Sequence, residues 1–290
     1  MKYINDFLIL GGDMRGIYAG EMLKNEGFAV DYYGFCDVEG CRGTYRNIDS
    51  AIKNAAMPLL PLPVSRDSQL LFAPYSEREI SLCEIVNNLS AEQTVFAGMA
   101  DKYLIDLLEQ KHITLNDYFK RDELAILNAV PTAEGVVQLL IDNLPVTISG
   151  LRCAVLGFGK TGKAIARTLH ALGAQVTVAA RGAADVAYAS AENIHAINLE
   201  DFADYAPDFS AVINTVPARV LDEKRLSALN GECLLVEIAS APFGIDFECA
   251  RALGLKVIKA GSLPGKIAPK TAGEIIAKTV ISMLKEGKKT

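Results

Sequence analysis

Three glycines in the run Gly157-Phe158-Gly159-Lys160-Thr161-Gly162 have the spacing of a turn that cradles a pyrophosphate. Spacing alone is weak evidence, since three glycines reach this register by chance. The surrounding residues strengthen it. An apolar run, Cys153-Ala154-Val155-Leu156, leads into the first glycine. A run with helical spacing leaves the last one, Gly173 closes it, and a second apolar run begins at Gln175. That is the strand–turn–helix–strand unit in which the motif works. Gly157 permits the tight turn, Gly159 has no Cβ to hold a pyrophosphate off the backbone, and Gly162 lets helix and strand pack closely. The helix start offers N–H groups and partial positive charge to phosphate. The six residues are candidate cofactor contacts, and the cofactor they predict is a nicotinamide dinucleotide, NADP or NAD.

The second strand of such a unit ends beside the adenosine ribose, where an acidic residue marks NAD. In this chain that stretch reads Val178-Ala179-Ala180-Arg181-Gly182, with no acid before Asp185. Arg181 suits a 2′-phosphate, so the reading favours NADP, although an arginine there also stacks on adenine. Asn214-Thr215-Val216-Pro217 ends a later strand, and Ala239-Ser240 follows another that closes with Glu237-Ile238. Strand ends at this edge face the nicotinamide half. Each also reads as an ordinary polar turn.

Outside the phosphate turn, polar residues cluster at Gly11-Gly12-Asp13-Met14-Arg15, near Ser65, at Arg121-Asp122, at Asn128 to Gly135 with Thr132 and Glu134, and along Gly261 to Gly273 with Lys270 and Thr271. Capping and loop structure account for each as well as ligand binding does. The three histidines are His112, His170 and His195, and none falls in a loop expected to face a nicotinamide. A His–carboxylate dyad of the 2-hydroxy-acid dehydrogenase type is therefore not visible.

The elements that must position these residues alternate along the whole chain. Short apolar runs at 7–10, 28–33, 94–97, 151–156, 175–180, 194–198, 211–214, 234–238 and 256–258 predict strands. Helical spacing at 14–26, 77–88, 101–110, 121–144, 160–172 and 270–285 predicts helices, the one at 121–144 broken by Pro131. The run 59–64, with Pro58, Pro61 and Pro63 around it, predicts a strand end and an extended loop, because proline donates nothing to a central ladder. The fold class is α/β: two Rossmann-like doubly wound parallel-sheet domains with a cleft between them. The boundary is expected near Pro145-Val146-Thr147. Domain one then covers 1–145, completed by the closing helix 270–290, and domain two, the NAD(P)-binding domain, covers 146–269.

Bulk properties narrow the function classes. The 290 residues suit two domains, and half are hydrophobic, as in a globular protein. A net charge of −6 without a basic run argues against nucleic acid or an anionic membrane as partner. No apolar run reaches the roughly 20 residues of a membrane span, and Met1 to Asp6 does not begin a signal peptide, so a cytoplasmic location is expected. The six cysteines are scattered, which predicts reduced thiols; Cys36 and Cys41 form the one close pair, with no histidine nearby to complete a metal site. No metal is expected.

Five segments together carry a resemblance. They are Gly11-Gly12-Asp13-x-Arg15; Arg121 to Ile126 with Asn128-x-x-Pro131-Thr132-x-Glu134-Gly135; Val155 to Gly162; Ile213-Asn214-Thr215-x-Pro217; and Leu263-Pro264-Gly265-x-x-Ala268-Pro269-Lys270-Thr271-Ala272-Gly273. The chain resembles the dipicolinate synthase A-subunit family over nearly its full length; 38–60 carries none of these motifs. The resemblance implies an NAD(P)-dependent oxidoreductase subunit of spore-forming bacteria. It would oxidise a dihydro- or hydroxytetrahydro-dipicolinate, from lysine biosynthesis, to dipicolinic acid by hydride transfer to the nicotinamide, working with a flavoprotein-like B-subunit. A dicarboxylate calls for cationic forks, for which Arg15, Arg121 and Lys270 are candidates, with Ser65, Asn128 and Thr132 as neutral donors. Glu134 is the candidate proton acceptor, and Lys270 is placed with it at the chemistry. The alternatives are a related two-domain dehydrogenase of an amino or keto acid and a cofactor-binding partner subunit without turnover.

Overall fold

The computed structural model describes residues 3–36, 38, 41 and 43–287. Parts of the expected N-terminal segment (1 and 2), of the 38–60 stretch (39, 40 and 42) and of the closing helix (288–290) lie outside the described residues.

Contacts divide the chain into two units. One comprises the described residues up to Leu127 and again from Ala268 onward; the other is Asn128–Ile267. The first unit contains β1 (Asn5–Leu10), α1 (Met14–Asn25), β2 (Val30–Tyr33), α2 (Ile48–Lys53), β3 (Ala55–Leu59), α3 (Leu82–Asn88), β4 (Thr94–Ala97), α4 (Lys102–Gln110) and β5 (Thr114–Asp117). Helix α5 (Asp122–Asn143) follows. The second unit adds β6 (Arg152–Leu156), α6 (Lys160–Ala171), β7 (Gln175–Ala180), α7 (Ala183–Ala191), β8 (His195–Asn198), α8 (Phe202–Tyr205), β9 (Ala211–Asn214), α9 (Glu223–Ser227), β10 (Leu234–Glu237), α10 (Phe247–Ala252), β11 (Lys256–Lys259) and α11 (Leu263–Ile267). The final helix, α12 (Pro269–Gly287), belongs to the first unit.

Both sheets are parallel. The first has the order β2-β1-β3-β4-β5 and the second β11-β10-β9-β6-β7-β8. The second order is that of a dinucleotide-binding sheet, and its direction reverses between β6 and β9. The strands read as unbroken apolar runs because both faces are buried. In β6, Cys153 and Val155 enter the core on one face while Ala154 and Leu156 enter the core on the other. In β1, Leu8 and Leu10 face one core and Phe7 and Ile9 the opposite one. Side-chain caps then start the helices: Asp13 accepts from Arg15 N in α1, Asp101 from Leu104 N in α4, and Asp246 from Cys249 N in α10.

Several expectations are corrected. The boundary falls at Leu127 and Asn128, inside α5, and not near Pro145. The reason is packing: Ala133, Val136 and Leu140 of α5 are buried in the core under β6, β7 and β9. Pro131 does not break α5, which runs for 22 residues with that proline inside it. The only helical bond it forfeits is to the carbonyl four residues back, Leu127, which is where the units part. Pro58 lies within β3, a central strand, opposite Leu8. This is tolerated because the pairing of β3 with β4 begins one residue later, at Leu59 opposite Phe96. The expected loop 261–273 is mostly helix, forming α11 and the start of α12. Helix α5 is also long and apolar enough to span a membrane by length and composition. It owes this apolarity partly to the side chains it buries in the second unit's core.

Candidate functional site

The turn after β6 is shaped by what surrounds it. Gly157 has φ +88°, and a Cβ there would come within 2.7 Å of Val216 Cγ2 and 2.8 Å of Thr215 Oγ1. A Cβ on Gly162 would lie 2.1 Å from the Gly157 carbonyl oxygen, so α6 meets the turn backbone to backbone. Thr215 donates from Oγ1 to the Leu156 carbonyl at 2.8 Å and so braces the turn from below. Gly159 differs from both: no atom lies within 4 Å of where its Cβ would be. It is the residue preceding α6, and no side chain caps that helix start. The arrangement is a helix N-terminus without a side-chain acceptor, beneath an open approach to backbone, and it fits a pyrophosphate. Phe158 contributes only backbone to this face, because its ring is 2 % exposed in the core. Lys160 is exposed and Thr161 half-buried beside it.

The first unit has a similar turn, Gly11-Gly12-Asp13, between β1 and α1. There the space is filled. A Cβ on Gly11 would meet Leu71 Cδ2 at 2.6 Å, one on Gly12 would meet Pro61 Cβ at 2.9 Å, and Asp13 caps the helix. The open turn is thus the one in the second unit.

Arg181 stands exposed immediately after β7 and has no ion-pair partner among the described residues. Asp185 lies in the first turn of α7. At the ends of β9 and β10 the structure builds a buried polar network. Asn214 is 0 % and Glu237 1 % exposed. Glu237 Oε1 accepts from Asn214 Nδ2 at 2.7 Å and from Ala239 N at 3.0 Å, and Oε2 accepts from Gly244 N at 2.9 Å and Ile245 N at 3.0 Å. Asn214 also receives Val216 N at 3.1 Å and donates to the Val216 carbonyl at 3.0 Å. Val216 and Ala239 are half-buried, and Pro217 and Ser240 exposed, along this edge. Sequence reasoning named Glu237 only as part of a strand end and gave it no role of its own; its signal was a glutamate closing the apolar run Leu234-Leu235-Val236.

The residues expected to meet a substrate are placed less uniformly. Arg15 is 7 % exposed and already engaged: Nε and Nη2 donate to Asp13 at 2.9 and 2.8 Å, and Nη2 also reaches the Leu62 carbonyl. Arg121 donates to Glu123 and to Glu286, each at 2.7 Å, joining the start of α5 to the end of α12. Ser65 donates to Asp67 at 3.0 Å within its own loop. Thr132 donates to the Asn128 carbonyl at 2.7 Å, one turn back in α5, and Asn128 Oδ1 is buried without a partner. Glu134 and Lys270 are both exposed and have no ion-pair partner among the described residues. Gly273, in the same motif as Lys270, serves packing: a Cβ there would come within 2.5 Å of the Arg15 carbonyl oxygen, where α12 crosses α1.

Neither histidine of the second unit lies at the carboxyl ends of its strands. His170 and His195 line a groove of about 450 Å³ with Arg152 and Tyr205 at the amino ends of β6, β7 and β8, and His112 follows α4. All six cysteines are free thiols, and burial pushes Cys153 and Cys233 up to about 12.

Comparison with known proteins follows the same division. A family model described as the N-terminal domain of the dipicolinate synthase A-subunit matches residues 6–119, and one described as D-isomer specific 2-hydroxyacid dehydrogenase, NAD binding domain, matches 136–258. The dipicolinate synthase A-subunit of Bacillus subtilis (strain 168) is 33% identical over 282 residues, covering 96% of this chain and 95% of that protein. The crystal structure of the dipicolinate synthase A-subunit from Bacillus halodurans superposes with a TM-score of 0.90 at 29% identity, covering 98% of this chain and 99% of that one. The crystal structure of its Bacillus subtilis counterpart gives 0.87 at 32% identity, covering 97% and 95%. A transhydrogenase from Sinorhizobium meliloti shares the fold, with a TM-score of 0.72 at 15% identity over 97% of this chain and 93% of its own.

Proposed function

The chain belongs to the dipicolinate synthase A-subunit family, and from that membership we propose that it is the nicotinamide-binding, hydride-accepting subunit of a dipicolinate synthase. The observation that carries the reading is the open, side-chain-uncapped turn at Gly159 in a chain that matches a member of this family over 96% of its residues. The proposed substrate is a dihydro-dipicolinate, or its hydroxytetrahydro precursor after loss of water. One ring carbon gives up a hydride, a ring proton leaves, and an aromatic pyridine dicarboxylate remains. When bound, the nicotinamide supplies the hydride-accepting carbon. Aromatisation provides driving force, so the protein's task is chiefly positioning and exclusion of water.

The residues divide accordingly. Gly157 to Gly162 hold the pyrophosphate on the start of α6, and Arg181 pairs with a ribose 2′-phosphate, making NADP the favoured cofactor. Asn214 to Pro217, with Ala239 and Ser240, face the nicotinamide half. Arg15 and Arg121 already have carboxylate partners, which leaves Lys270 as the cation for a substrate carboxylate. Glu134 is the proposed proton acceptor. A mechanism based on His170 or His195 is disfavoured, since both lie at the opposite, amino-terminal edge of the same sheet.

The partner is a B-subunit, as the family's own name suggests. Purified chain is assayed with dihydro-dipicolinate and each nicotinamide cofactor, with and without that partner, following nicotinamide reduction and pyridine dicarboxylate formation together. Coupled appearance of both is expected. Turnover of an amino or keto acid with none of dihydro-dipicolinate would overturn the proposal in favour of a related dehydrogenase.

A further inference from the structure

We propose that the buried carboxylate of Glu237 makes this site discriminate between the two redox states of its nicotinamide, favouring the oxidised ring. The inference rests on the nicotinamide lying at the carboxyl edge of β9 and β10, and does not depend on the substrate.

The four hydrogen bonds to Glu237 come from one side-chain amide and three backbone N–H groups. All four donors are neutral, and they suit a carboxylate, which only accepts. No cationic side chain forms an ion pair with it among the described residues. Lys259 stands opposite Glu237 in the register of β10 and β11 but forms no ion pair with it among the described residues; its Nζ lies over rings, 5.0 Å from the centroid of Phe243 and 3.9 Å from that of Phe247. The negative charge is therefore solvated by dipoles and not cancelled. Glu237 is 1 % exposed, so water screens it little and its field extends past its donors.

The segments that field reaches first are those its own bonds hold: Asn214 to Val216 at the end of β9 and Ala239 at the start of the following loop. They border the point where the strand order reverses, between β6 and β9. An oxidised nicotinamide carries a positive charge, and accepting a hydride removes it. The ADP-ribose portion is the same in both states. A fixed negative charge beneath this edge therefore acts on one redox state and leaves the common portion alone. A residue that merely held the loops would affect both states alike.

The test titrates wild-type protein and Glu237→Gln with the oxidised dinucleotide, the reduced dinucleotide and ADP-ribose (or its 2′-phosphate, if NADP is the tighter cofactor). In Glu237→Gln the ratio of oxidised to reduced affinity is expected to fall by about three- to thirtyfold. ADP-ribose affinity should hold within about twofold, and Glu237→Asp, which keeps the charge, should keep the wild-type ratio. Wild-type protein is itself expected to bind the oxidised dinucleotide more tightly than the reduced one, so the inference stays testable even if Glu237→Gln does not fold. An unmoved ratio in a folded Glu237→Gln, or equal or tighter binding of the reduced dinucleotide by wild-type protein, overturns it. If wild-type protein binds none of the three probes, the nicotinamide reading falls and this inference with it.

Discussion

Arg181 and Gly159 allow the proposed cofactor contacts to be tested one residue at a time. Arg181 follows β7 with no carboxylate paired to it among the described residues, so its charge is available to a 2′-phosphate. Arg181→Ala is expected to weaken NADPH binding by about 1–3 kcal/mol while NADH loses little; titration of both measures the difference, and equal losses would mean the arginine does not read the 2′ position. At Gly159 the space over the missing Cβ is open, so Gly159→Val should leave the fold intact and occupy the approach to the backbone. Dinucleotide binding should then fall below detection at an unchanged melting temperature. Lys270 is a third case. Its exposed ammonium has no carboxylate partner among the described residues, and Lys270→Ala should raise KM for the dicarboxylate about tenfold or more without altering dinucleotide affinity.

Two arginines that resemble ligands in the sequence act between elements. Arg15 ties the turn before α1 to the loop after β3, through Asp13 and the Leu62 carbonyl. Its side chain is 9% exposed and that of Asp13 27%, so removing the guanidinium leaves a poorly solvated carboxylate. Arg15→Ala is expected to cost about 2–4 kcal/mol in chemical denaturation. Arg121 joins α5 to α12, but its side chain is 31% exposed and those of Glu123 and Glu286 are 39% and 55% exposed. Solvent screening reduces that pair to roughly 0.5 kcal/mol, and the loss should shrink further in salt. A larger loss at Arg121 than at Arg15 would reverse this assignment. Lys270 and Gly273 make the same point within one motif: the lysine is exposed, whereas the glycine lets α12 cross α1 closely.

At the scale of the molecule, the division inside α5 has a consequence for stability. Val136 and Leu140 are fully buried in the second unit's core. A fragment spanning 128–267 should unfold cooperatively, while one beginning at 146, lacking those side chains, should lose several kcal/mol or fail to fold. Equal stability of the two fragments would return the boundary to Pro145. The same core sets a response to alkali. Burial raises the Cys153 and Cys233 thiols from the ordinary 9.0 to about 12, so the native state keeps protons that the unfolded state releases. Their contribution is complete below pH 9.0 and is lost as pH rises toward about 12, by at most about 1.4 kcal/mol per pH unit for each thiol. Urea midpoints measured across that range should decline less steeply in Cys153→Ala.

Most of the parallel-sheet frame and the glycine turn after β6 were legible in the sequence because their causes are local. Buried parallel strands write themselves as apolar runs, as at 94–97, 175–180 and 211–214, and the Gly157 turn has its strand and helix adjoining it in the chain. What the sequence could not carry was anything decided by a distant partner. Pro58 and Pro131 read as breakers until the fold shows that the pairing of β3 with β4 starts only at Leu59 and that Pro131 forfeits just the bond to the Leu127 carbonyl. Arg15 and Arg121 read as free forks until the fold supplies Leu62 and Glu286. The two glycine turns look alike in sequence, and only Leu71 and Pro61, folded over Gly11 and Gly12, close one of them. Glu237 needed the tertiary structure most. A glutamate at a strand end is an ordinary surface residue until Asn214, Ala239, Gly244 and Ile245 converge on it, and burial then turns its charge into a property of the site.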